Sequence, residues 1–116
     1  MHDLTQRLTI SQPIVMGGIE PTVEELRKRI EEMEYVLVKF TETRGGTELG
    51  FSLNQDATDV STADFEQGTG AVHVEGNLTL NDDPVTVIAD IDLATLKGTG
   101  RLAPREPAMP AADGAA

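Results

Sequence analysis

The chain has 116 residues, 39% of them hydrophobic, with a formal charge of −11 and an isoelectric point near 4.4. That length fits a single domain near the lower end of those that bury a self-sufficient core. The charge argues against nucleic acid and anionic membrane, both of which need a positive surface. Three Phe, one Tyr, no Trp and no Cys leave little for an aromatic stacking platform and exclude disulfides, thiolate catalysis and the usual structural zinc sites.

In chain order, residues 4–16 alternate loosely and predict an edge strand, with Pro13 tolerable only at an edge or bulge. The opening Met-His-Asp-Leu-Thr-Gln-Arg lacks a basic stretch followed by an apolar one, the mark of a secretory leader. No apolar run approaches the ~20 residues of a membrane span. A cytoplasmic location is the expectation.

Gly17-Gly18 ends this strand, and the clearest local signal follows. Thr22 and Glu25 form a capping box, with Pro21 just outside and Leu26 placed to staple onto it. The helix predicted over residues 23–34 carries Val23, Leu26, Ile30 and Met33 at spacings of three, four and three, one apolar stripe. Its other faces are charged, with opposite-charge pairs such as Glu24–Lys28 and Arg27–Glu31.

From Tyr35 the period switches to two. Segments 35–43 and 47–54 flank Arg44-Gly45-Gly46 and predict a hairpin pairing Phe40 with Leu49, Val38 with Phe51 and Val36 with Leu53. Residues 55–70 read either as a mobile lid or as a loop hiding a short strand near 62–67 with Phe65 turned inward. The strand is the preferred expectation. Asp56-Ala57-Thr58-Asp59 lacks the glycine and glutamate of a calcium loop.

Segments 71–80 and 85–97 also alternate. Zipped around Asn81-Asp82-Asp83-Pro84, they pair Leu80 with Val85, Leu78 with Val87, Gly76 with Ala89, Val74 with Ile91 and Val72 with Leu93. The other face then opposes Glu75 to Asp90 and His73 to Asp92. Opposed like charges disfavour a sheet by a few tenths to ~1 kcal/mol. This cluster of His73, Glu75, Asp90 and Asp92 is the candidate catalytic constellation: in an enclosed lumen its carboxylates could move a proton, with Asp92 orienting His73. An exposed, solvated face is the simpler expectation, because the opposite face is already apolar. Glu75, Asp90 and Asp92 also resemble an oxygen-rich cation set, but no metal and no cofactor is expected. The motifs Gly68-Thr69-Gly70 and Gly98-Thr99-Gly100 have no phosphate-binding context and read as turns.

The expected fold is α+β: one amphipathic helix on a curved antiparallel sheet of four to six strands, a half-open or closed small barrel. The domain spans residues 1–102, and the Pro- and Ala-rich residues 103–116 form a disordered tail. One helix covers ~10 Å, whereas four strands at ~4.8 Å spacing are roughly 20 Å wide, so part of the apolar face must close on itself, pack on the N-terminal strand or meet a second copy. The leading functional expectation is a small acidic binding or accessory module that self-associates through its sheet, a homo-oligomer with no nucleic acid or membrane partner. The alternative is a cofactor-independent isomerase or cyclase acting on a small apolar ligand.

Overall fold

A computed structural model describes residues 3–18, 21–80 and 82–105. Six antiparallel strands close into a barrel in chain order: β1 (Gln12–Met16), β2 (Tyr35–Phe40), β3 (Thr47–Leu53), β4 (Ala71–Leu80), β5 (Asp83–Asp92) and β6 (Lys97–Pro104). Closure comes from β1, which pairs with β2 on one side and β6 on the other. The expected edge strand is therefore no edge. Pro13 is accommodated because the β1–β2 ladder begins only at Ile14, so its missing N–H falls beyond the last pair. A short helix, α1 (Asp3–Arg7), stands where the N-terminal half of that strand was expected.

The apolar alternation faces inward on every strand. Ile14, Val36, Phe40, Phe51, Val74, Val87, Ile91 and Leu102 are all essentially inaccessible to water. At ~1.5–3 kcal/mol for each fully buried large apolar side chain, this interior outweighs any surface pairing. Leu8, just after α1, joins the core from one end. Leu26 and Ile30 join it from the segment after β1.

That segment begins as expected. Thr22 accepts a hydrogen bond from the Glu25 backbone N–H (3.0 Å) and opens α2 (Val23–Lys28). The helix then widens into a π-helical turn, Arg29–Met33, closed by Glu34 in the left-handed region (φ 53°). The wider turn delays each later position, and Met33, on the expected apolar stripe, ends up 48% exposed. Arg27–Glu31 forms (3.3 Å), whereas the second bridge joins Arg29 to Glu25 (3.1 Å) rather than Glu24 to Lys28.

Both predicted hairpins exist with their pairing slid by two residues. In the first, Val36 meets Phe51, Val38 meets Leu49 and Phe40 meets Thr47. In the second, Leu80 pairs with Asp83, Leu78 with Val85, Gly76 with Val87 and Val72 with Ile91. A one-residue slip would have reversed every side chain, but a two-residue slip keeps each on its face. The segment read as one strand over 85–97 breaks after Asp92 into a turn, in which Leu96 adopts φ 57°. The chain then returns as β6, so Gly98-Thr99-Gly100 is strand rather than turn. Glycine at 98 is required: a Cβ there would strike the Asp90 carbonyl. β6 runs two residues past the expected domain boundary, to Pro104. Of the expected tail, residues 106–116 lie outside the described residues.

Residues 55–70 hold no strand of the sheet. They are a run of turns fixed by Asp side chains, with the Asp59 carboxylate accepting from Ser61 N–H and the Asp64 carboxylate from Glu66 and Gln67 N–H. Phe65 does lean on the core, under the Arg27 guanidinium 5.5 Å from its ring centre.

Candidate functional site

The sheet brings together three of the four residues the sequence singled out, in a different arrangement. With the register slid, His73 faces Asp90, while Glu75 faces Ile88 and Asp92 faces Ala71. The opposed carboxylates do not exist. Instead, the His73 imidazole stands between two carboxylates, with Nε2 2.7 Å from Glu75 Oε2 and Nδ1 2.8 Å from Asp90 Oδ1. Glu75 lies two residues along the same strand and shares its face, and Asp90 is the direct cross-strand neighbour. Asp92, expected to orient His73, is replaced in that role by Asp90.

The cluster sits on the outer wall. The side chains of His73, Glu75 and Asp90 are 33%, 28% and 60% exposed. The hydrogen bond to Glu75, with that to Asp90 behind it, holds the imidazolium above its ordinary value of 6.5 against the opposing effect of partial burial. Asp59 on the neighbouring loop is held below its ordinary value, chiefly by hydrogen bonds from Ser61, with a smaller contribution from the charge of His73.

When protonated, His73 donates from both ring nitrogens and has no lone pair to offer. In that state it neutralises charge and cannot abstract a proton. Among the described residues no three His, Cys, Asp or Glu side chains are grouped to hold a metal ion.

Among the described residues the barrel interior is lined by apolar side chains. Eight strands make a barrel just wide enough for side chains to fill, and six make a narrower one, here packed with apolar groups. A depression of about 180 Å³ lies outside it, between Val15, Met16, Pro21 and residues 95–97. That is small beside the ~300–1,000 Å³ of ligand pockets.

The outer wall also carries an apolar strip that the sequence pattern did not single out. Tyr35 and Leu37 on β2 lie side by side over Gly50 of β3, where any Cβ would strike both. Tyr35 is 40% exposed, and Met33, two residues before it in the chain, is exposed as well. The missing side chain at Gly50, in the middle of an otherwise alternating strand, was the available signal.

No helix of the described residues is long and apolar enough to cross a membrane. The sequence matches no protein-family model and no curated protein.

Proposed function

We propose that this chain is a small non-catalytic binding or accessory module that self-associates through the outer wall of its sheet. The observation that supports it is the state of His73: both ring nitrogens are taken by carboxylates on an exposed wall, while the interior is filled by apolar side chains. Neither place offers the enclosed, uncommitted base that an isomerase or cyclase would use. Closure of the barrel removes the uncovered inner face as a docking surface, so self-association falls to the strip of Met33, Tyr35 and Leu37. The proposal keeps the protein in the cytoplasm, where a chain without cysteine forgoes no cross-link.

Sedimentation velocity over a range of concentrations tests the proposal. A concentration-dependent dimer that Tyr35→Glu abolishes and His73→Gln leaves intact is the expected result. A monomer at every concentration would overturn the self-association.

A further inference from the structure

The seams of the barrel are unequal. β4 pairs with β5 over its whole length, from Ala71↔Asp92 to Leu80↔Asp83. It meets β3 only at Ser52↔Asn77 and Leu53↔Gly76. Below that point β3 has ended, and the edge of β4 from Ala71 to Glu75 would present bare backbone groups. Residues 54–62 cover it. Asn54 N–H donates to the Glu75 carbonyl (2.8 Å), Asp59 and His73 exchange both backbone bonds (2.8 and 2.9 Å), and the Thr62 hydroxyl donates to the Ala71 carbonyl (3.0 Å).

The residue at the centre of this covered edge is His73, whose side chain carries the only cation in the carboxylate cluster. Around it stand Glu75 on β4, Asp90 on β5 and Asp59 on the covering segment, with Asp92 one step further along β5. From β6, Thr99 faces Asp90, Lys97 faces Asp92 and Arg101 faces Ile88. Among the described residues neither Lys97 nor Arg101 makes an ion pair. Ser52 of β3 and Asn54 just after it are uncharged.

We propose that residues 55–70 are a strap closing the β3–β4 seam, and that the His73 imidazolium holds the strap down, so that the seam loosens when the imidazole loses its proton. Three carboxylates around one imidazolium leave two net negative charges. Around a neutral imidazole all three are uncompensated, and the one on the strap, Asp59, is pushed from the two on the wall. The strap gives way first because its backbone bonds are few and solvent-exposed, which is where proteins open locally.

Amide hydrogen exchange by NMR, corrected for the intrinsic pH dependence of exchange, tests this on the intact chain. The His73 ring signals report its titration in the same samples. Protection of the Asn54, Asp59 and His73 amides is expected to fall about twofold to fivefold as pH rises through that titration, the range given by a surface ion pair of ~0.5–1 kcal/mol. The Leu102 and Gly17 amides, bonded to the Leu8 and Leu37 carbonyls, are expected to hold steady. In Glu75→Gln/Asp90→Asn, the protection midpoint should follow the imidazole to lower pH. Protection that stays flat across the His73 titration, or that changes equally at Leu102, would overturn the proposal, as would a midpoint that ignores the imidazole in the variant. The wild-type series decides alone where the double variant does not fold.

Discussion

The two sides of β4 make an instructive pair. Toward β5 the strand is held by a complete ladder set by a tight turn. Toward β3 it is held by two pairs, a strap and one aromatic ring, since a Cβ on Gly76 would meet both the Ser52 carbonyl and the Phe51 ring. A tight turn fixes register locally, and everything beyond it follows. A long connection fixes nothing, and the seam must be held by packing and side-chain chemistry. A small barrel can thus be closed in topology yet uneven in strength.

The largest expected effect tests the packing half of that contrast. Phe51→Ala should cost about 3–5 kcal/mol in chemical denaturation, with exchange rising first at the β3–β4 seam. A loss spread evenly over the barrel would show that the ring serves the whole core instead. Gly76→Ala and Gly98→Ala compare the two kinds of seam directly. Each places a Cβ against a backbone carbonyl of the neighbouring strand, and each should cost about 1–3 kcal/mol. At Gly76 the damage should stay near the strap, whereas at Gly98 the β5–β6 ladder transmits it to global unfolding.

Away from both seams, Thr5 buries a hydroxyl oxygen with no hydrogen-bond partner. Thr5→Val should therefore stabilise the protein, by about 1 kcal/mol in the same denaturation series, and leave exchange at both sides of β4 unchanged.

The smallest effect is electrostatic. His73→Gln should cost less than about 1 kcal/mol, and only at acidic to neutral pH. Because the folded imidazolium is held above its ordinary value of 6.5, its stabilisation is complete below that value and disappears as pH rises through the folded one. The melting temperatures of wild type and variant should converge on the alkaline side. A gap that widens there instead would show that the sign is wrong.

What the sequence made legible was the faces rather than the partners. Alternation assigns Val72, Val74, Val85 and Val87 to one side and His73, Glu75 and Asp90 to the other, and the structure keeps every one of them there. Pairing depends on turn length, which alternation does not encode. Asn81-Asp82 suits a two-residue hairpin, because both residue types tolerate positive φ, and Asp82 adopts φ 68°. Reading four residues as loop slid the ladder by two and created an opposition of carboxylates that the molecule avoids. The start of β6 was hidden for the opposite reason. Its turn, residues 93–96, contains no Gly, Pro, Asn or Asp, and the glycines that look like punctuation sit inside the strand, where the narrow barrel needs their missing side chains.

The pairing of Gln12 with Gly100 across the β1–β6 seam has a consequence for how the molecule is made. The strand that begins the barrel waits for the one that finishes it, across almost the whole described chain. Contacts of that span are slow to form, so during synthesis the β1 and β5 edges remain open until residues 97–104 arrive. Assembly of this protein is therefore governed by its last strand, and a chain halted before Lys97 should expose two unpaired edges at once and be held by chaperones or lost to aggregation.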